Sequence, residues 1–278
     1  MSAPLASGYE TLQLLRRGRD LDVYDAWSEE RASRVVIKAV RPDRLDHGGA
    51  AERLLEEGRL LMRLTHPHIV RAYEVIEEPA PMVVLETLAG ETLGHMIDVR
   101  EVELSAPELA QLGLHLTSAI RYLHRHGVLH LDLKPSNVIA ECGRAKLIDL
   151  SVARPPGPAH PGIGTHYYLS PEQARGGELG PAADVWGIGA VLFEAATGEP
   201  AFDDPDAPDD DSDESLSETL DDSDYPQLAA PARRVDELRP GLPPALADLV
   251  AACLAPGSAR RPGVEELMRA LEPLGEGA

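Results

Sequence analysis

Residues 128 to 140 read VLHLDLKPSNVIA. His130, Asp132, Lys134 and Asn137 stand here inside an apolar frame, with Val128 and Leu129 before them and Val138 and Ile139 after. The pattern reads as strand, loop, strand. Ionisable groups among residues that favour burial are costly unless they have partners or take part in chemistry. The stretch therefore marks where polar chemistry is built into an interior, and the rest of the chain can be read outward from it.

Immediately upstream, Ser105 is placed to cap a helix with Pro107 in its first turn. Leu109, Leu112, Leu116, Ile120 and Leu123 recur at helical spacing, and Gly127 ends the run. Residues 9 to 40 instead alternate as strands in YETLQLL, DVYDAW and RVVIKAV, with Gly18 and Asp20 marking the first turn. Residues 50 to 64 predict a helix whose apolar stripe holds Leu54, Leu61 and Leu64. Glu57 lies on that same stripe, whereas Glu56 does not. A carboxylate on an apolar face requires a cation from elsewhere in the fold. Strands follow in IVRAYEVIE and PMVVLETL, then a connection containing Gly90.

Downstream come a short hairpin around Cys142 and Gly143, the strand AKLIDL, and a Pro/Gly-rich loop over residues 154 to 164. From Ala182 the pattern is helical, and it resumes at Pro243 after an interruption. This order predicts an α+β chain without internal repeats. A small β-rich part with one helix covers about residues 9–88, and a larger, mainly helical part about 90–272.

The interruption is acidic. Residues 203 to 224 hold ten Asp and two Glu with no Lys or Arg, so they carry −12 of a net charge of −21. Such a segment buries too little apolar surface to fold, and it reads as a disordered, solvated loop. The overall charge opposes binding to bare nucleic acid. Two cysteines, Cys142 and Cys253, form no C-x-x-C pair, and the first residues lack the pattern of a signal peptide. The longest apolar run, Val185 to Phe193, is short of the ~20 residues needed to span a bilayer. The expectation is a soluble, cytoplasmic protein, its oligomeric state left open.

Only three of the 26 basic residues are lysines, Lys38, Lys134 and Lys146. A compact ammonium is not interchangeable with a planar guanidinium where a single oxygen must be met. His124, His126 and His130 invite a metal reading, but the first two fall at a helix end and His130 suits packing.

Taken together, these motifs resemble the protein kinase family, specifically the eukaryotic-like Ser/Thr kinases of bacteria, over nearly the whole chain. HLDLKPSN resembles the catalytic loop H-R-D-x-x-x-x-N, IDLS the D-F-G segment, and GTHYYLSPEQ the substrate-side loop ending in A-P-E. The resemblance implies a two-lobed kinase domain over 9–272, interrupted by the 203–224 insert. It implies transfer of the γ-phosphoryl group of ATP, with Mg²⁺, to Ser/Thr hydroxyls of protein substrates; the twelve carboxylates of the insert would attract basic ones among them. Asp132 would accept or orient the substrate hydroxyl proton, and Lys134 would neutralise the transferring phosphate. Asn137 and Asp149 would hold Mg²⁺, their hard oxygens suiting that ion. Lys38 would pair with the ATP phosphates and Glu57 would position it. Leu15, Gly18, Val23, Val36, Glu86, Leu88 and Ile139 would line the nucleotide, Asp184 would brace the catalytic loop, and Arg261 would pair with Glu172.

The chain departs from the family pattern at four places. The Gly-rich loop aligns on Arg16, Gly18 and Leu21, so only its middle glycine is kept. Val36 stands for Ala, and Asp149-Leu150-Ser151 for D-F-G. Leu131 replaces the Arg that binds a phosphate on the activation loop. Residues 152 to 164 contain no Ser, Thr or Tyr for such an Arg to meet. The two absences match, and they predict an activation segment ordered without phosphorylation. Two further readings use the same residues. A nucleotide- or partner-binding scaffold without turnover fits the lost glycines, and a small-molecule phosphotransferase shares H-x-D-x-x-x-x-N but not Lys134 or GTHYYLSPEQ.

Overall fold

A computed structural model of the chain describes residues 6–45, 49–100, 102–202 and 225–275; the acidic insert read from the sequence at 203–224 lies outside them. Two compact units are present, one ending at Ala89 and the other beginning at Gly90.

The first unit is a five-stranded antiparallel sheet with one helix. Strands β1 (Tyr9–Arg17), β2 (Leu21–Ser28), β3 (Ser33–Val40), β4 (Ala72–Ile76) and β5 (Met82–Glu86) assemble in the order β1-β2-β3-β5-β4. Helix α1 (Ala50–Arg63) lies between β3 and β4 in sequence. Strand alternation divides β3 between two faces. Val35, Ile37 and Ala39 join Met82, Val84, Ala26 and Tyr9 in a buried cluster. Lys38 faces the other way, level with Val23 on β2 and Val83 on β5. Leu54, Leu61 and Glu57 are buried on α1 and Glu56 is exposed, as the periodicity requires.

The second unit begins with β6 (Glu91–Thr92), α2 (Leu93–Asp98) and α3 (Ala106–Arg125), followed by β7 (Val138–Glu141) and β8 (Arg144–Leu147). β6, β7 and β8 form a small antiparallel sheet. Ser105 caps α3 through a reciprocal pair with Glu108, so two backbone donors at the helix start are satisfied. Then come β9 (Gly157–Ala159), α4 (Pro171–Arg175), β10 (Gly177–Leu179), α5 (Pro181–Thr197), α6 (Pro226–Ala229), α7 (Val235–Leu238), α8 (Pro244–Cys253) and α9 (Val264–Gly275). Helix α5 is buried on every side from Ala183 to Ala196, which makes it the central element of this unit. No described helix is long and apolar enough to cross a membrane.

Some elements differ from the sequence reading. The connection after Gly90 contains the one-and-a-half-turn helix α2, capped by Thr92, which is too short to show a period. Inside the Pro/Gly-rich loop, β9 pairs with β10. Val128-Leu129 forms no strand; Leu129 makes a single bridge to Arg154. The strand read as AKLIDL ends at Leu147, and α6 and α7 precede Pro243.

Candidate active site

Each unit carries its own set of the residues singled out by sequence. In the first, Lys38 on β3 donates from Nζ to Glu57 Oε1 on α1 at 2.8 Å. Both side chains are buried. The cation that the apolar stripe of α1 called for is therefore supplied from the sheet. Val23 and Val36 are half-buried, on the same face as Lys38, while Leu15 is exposed. Gly18 closes the β1–β2 turn by donating its N–H to the Leu21 carbonyl at 2.8 Å. A Cβ at Gly18 would lie 2.9 Å from that oxygen, so the turn itself needs the glycine. Glu86, at the end of β5, accepts the Arg71 N–H at 2.9 Å, and Leu88 follows it, half-buried.

In the second unit the 130–137 loop forms a tight hydrogen-bonded set. Thr165 Oγ1 donates to Asp132 Oδ1 at 2.6 Å and accepts from Lys134 Nζ at 2.6 Å. Lys134 Nζ also lies 3.4 Å from Asp132 Oδ2. Asn137 Nδ2 donates to Asp132 Oδ2 at 2.9 Å and to the Asp132 carbonyl at 3.0 Å. With its nitrogen committed to Asp132, the Asn137 side chain offers an oxygen to any further partner. The Asn137 carbonyl accepts the Ile148 N–H at 3.1 Å, which ties this loop to the segment bearing Asp149. Ile139, the nucleotide-lining candidate of this unit, sits on β7 opposite Lys146 of β8.

Asp149 accepts the Ser151 N–H at 2.8 Å. Ser151 is not among the described residues with positive φ, so the Gly of D-F-G is not required for this conformation. Leu150 is buried. Asn137 and Asp149 together supply an amide oxygen and a carboxylate, a hard donor set that fits Mg²⁺. That ion usually takes one or two protein ligands and completes its shell with water and phosphate oxygens.

Leu131 adopts φ 65°, in the left-handed region, a conformation that costs a residue with a Cβ about 1–2 kcal/mol. Asp184, in the first turn of α5, accepts the N–H groups of His130 and Leu131 and also contacts His124 Nε2 at 2.8 Å. His130 is fully buried; its Nδ1 accepts the Asp132 N–H at 3.2 Å, and burial lowers its pKa, which keeps it neutral. His126 contacts the Tyr122 carbonyl through Nδ1 at 2.8 Å. The three histidines thus serve three different structural contacts.

At the far end of the segment, Arg261 grips Glu172 with its two terminal nitrogens, at 2.6 and 2.9 Å. It also donates to the carbonyls of Ala182, Ala255 and Pro256, and lies over the Trp186 ring. Sequence reasoning missed buried Glu194 and half-buried Tyr168, joined at 2.8 Å, and Gln173, whose contacts are taken up below. Glu194 carried one signal, a lone carboxylate in the apolar run of α5.

This fold and these motifs define a protein kinase. The family profile described as "Protein kinase domain" matches residues 9–271, and the chain belongs to that family. Its relatives place it with the eukaryotic-like Ser/Thr kinases found in bacteria. It is 33% identical over 221 residues to the "Probable serine/threonine-protein kinase PknB" of Bifidobacterium longum, covering 73% of this chain and 32% of that protein. It is 30% identical over 268 residues to the "DNA damage-responsive serine/threonine-protein kinase RqkA" of Deinococcus radiodurans, covering 93% of this chain and 38% of that protein. A plant relative, "CBL-interacting protein kinase 4" of Oryza sativa, is 32% identical over 72% of this chain and 47% of its own length. The chain spans about a third of the length of its bacterial relatives.

Proposed function

We propose that the chain transfers the γ-phosphoryl group of ATP, with Mg²⁺, to Ser/Thr hydroxyls of protein substrates, basic ones among them, without phosphorylation of its activation segment. Residues 9–272 form the catalytic domain in this reading, with lobes of about 9–88 and 90–272. The observation that carries it is the closed set of Asp132, Lys134, Asn137 and Thr165, which fixes a carboxylate and an ammonium side by side in a partly buried loop. The relatives' names support the Ser/Thr assignment.

Phosphoryl transfer needs in-line placement and neutralisation of charge more than covalent help. Asp132 Oδ2 is held by Asn137, and Oδ1 already accepts one hydrogen bond, from the Thr165 hydroxyl. A carboxylate oxygen has room for a second donor, so a substrate Ser or Thr hydroxyl can donate to Asp132 beside Thr165, which directs its proton onto the carboxylate and leaves a lone pair of the hydroxyl oxygen for attack. Lys134 supplies positive charge at the same place. Lys38, positioned by Glu57, meets the nucleotide phosphates, and Asn137 and Asp149 hold Mg²⁺, which when bound neutralises phosphate charge. Leu15, Gly18, Val23, Val36, Glu86, Leu88 and Ile139 line the nucleotide. The free thiols Cys142 and Cys253 support a reducing, cytoplasmic setting, and the net charge of −21 opposes a nucleic-acid partner.

The test is phosphate transfer from Mg·ATP to a basic Ser/Thr protein, with autophosphorylation sites mapped, in wild type and Asp132→Asn. The variant should lose about a hundredfold or more in rate while still binding Mg·ATP. Undiminished turnover removes Asp132 from the mechanism. Nucleotide binding without turnover in the wild type would instead favour a scaffold, the reading to which Arg16 and Leu21 in place of two glycines belong.

A further inference from the structure

One buried polar side chain has no part in the mechanism above. Gln173, on α4, is 2% exposed, and all of its hydrogen-bonding capacity is used. Its Nε2 donates to the Leu131 carbonyl at 2.8 Å and to the Ile163 carbonyl at 2.7 Å. Its Oε1 accepts from the Ser170 backbone and hydroxyl at 3.2 and 3.0 Å. Its own carbonyl accepts the Gly162 N–H at 2.9 Å. A single residue therefore joins the catalytic loop, the segment at 162–163 and the cap of its own helix.

The chemistry of the junction selects an amide. Two carbonyls, of Leu131 and Ile163, cannot bond to one another, and both are satisfied by the two hydrogens on one uncharged nitrogen. The surroundings are apolar: Leu129, Leu131, Leu179 and Ala183 form a buried cluster, with Val152, Ala159 and Ile163 packed on it. Gly164 leaves room for the contact, since a Cβ there would come within 2.5 Å of the Leu131 oxygen and 3.2 Å of Gln173 Nε2, at φ +116°. The next residue, Thr165, bonds to Asp132. Leu131, in its left-handed conformation, is thus held at its N–H by Asp184 and at its carbonyl by Gln173. Leu131 carries no charge that could hold a phosphorylated segment, and residues 152 to 164 contain no Ser, Thr or Tyr, so the contact between these segments rests on neutral hydrogen bonds.

We propose that Gln173 is a positioning residue: its side-chain amide holds residues 162–164 on the catalytic loop, and through Thr165 keeps Asp132 oriented, in place of a phosphate-dependent contact. The activity arm of the test rests on the kinase reading; the exchange arm does not. Gln173→Met keeps length and removes both donors. Amide hydrogen exchange at residues 162–165 should speed up about tenfold or more, with the rest of the chain unchanged. In the same variant kcat should fall about tenfold or more while KM for ATP stays within about twofold. Gln173→Glu adds a titratable signature. Its carboxyl donates one hydrogen only when protonated, so relative to wild type its kcat and its protection at 162–165 should recover from about pH 8 to about pH 6. A purely structural glutamine would lower the melting temperature and leave kcat per folded molecule and the pH profile alone. Unchanged exchange at 162–165 in folded Gln173→Met overturns the proposal. If that variant does not fold, the absence of any pH-dependent difference in protection between Gln173→Glu and wild type overturns it. A wild type that transfers no phosphate sinks the kinase reading, and the exchange measurements still decide the role of Gln173.

Discussion

Asp184 accepts two successive backbone N–H groups on its two carboxylate oxygens, that of His130 at 2.9 Å and that of Leu131 at 2.8 Å. The carboxylate is buried in the first turn of α5, where the positive end of the helix favours a negative charge. The bond to Leu131 secures a residue in a costly backbone conformation directly before Asp132. Asp184→Asn keeps the shape but turns an NH₂ towards one of the donors. It should cost about 1–3 kcal/mol of stability and lower the transfer rate as well. Urea denaturation and a transfer assay check this together; a variant equal to wild type in both would show that the loop does not depend on the carboxylate.

Lys38 and Glu57 form a buried pair at 2.8 Å. Lys38→Arg retains the charge, but a planar fork cannot occupy the place of a point ammonium that must meet both a carboxylate and phosphate oxygens. Activity should fall about tenfold or more, since disturbing one member of a buried pair leaves the other poorly compensated. Steady-state kinetics of the Arg variant decide it. Equal activity would also remove the significance attached to there being only three lysines.

How far these features could be read from sequence depended on whether their signal was local. β1 to β3, α1 and α3 announce themselves by alternation or by a 3.6-residue stripe, and Glu57 stands out because a charge interrupts such a stripe. Helix α2 spans six residues, too few for a period, and β9 reads as Pro/Gly loop because what makes it a strand is β10, some twenty residues away. Within the site, Asp132, Lys134 and Asn137 sit in one apolar frame and were visible there. Gln173 was not. Its spacing from Ser170 announces only a capping box, while its partners at Leu131 and Ile163 lie 42 and 10 residues away.

Full activity should require no phosphate between Asp149 and Thr165. Leu131 packs into an apolar cluster with Val152, Ala159 and Ile163, and β9 is zipped to β10, so this segment is ordered by burial and backbone pairing. Protein prepared without exposure to ATP, or treated with phosphatase, should start at its full rate. A lag abolished by preincubation with ATP, with phosphate mapped to Ser151 in this segment, would contradict the prediction.

Stability should carry a pH dependence traceable to one carboxyl group. Glu194 lies buried on α5, where it accepts a hydrogen bond from the Tyr168 hydroxyl at 2.8 Å. Burial pushes its pKa from 4.5 to about 7, the Asp98 carboxylate adds to the rise, and the Tyr168 bond opposes it. The same burial, together with Glu194, raises the Tyr168 hydroxyl, which therefore stays protonated across this range. Between pH 4.5 and about 7 folded Glu194 keeps a proton that the unfolded chain has released. The associated stabilisation is complete below about pH 4.5 and is lost as pH rises through about 7, an effect of roughly 3 kcal/mol. Glu194→Gln keeps an oxygen for Tyr168 and has nothing to titrate. Wild type should lose unfolding free energy from about pH 5 to about pH 7.5, and the Gln variant should show a distinctly flatter profile over the same span. Parallel profiles for the two proteins would mean that Glu194 enters the folded state with an ordinary carboxyl group.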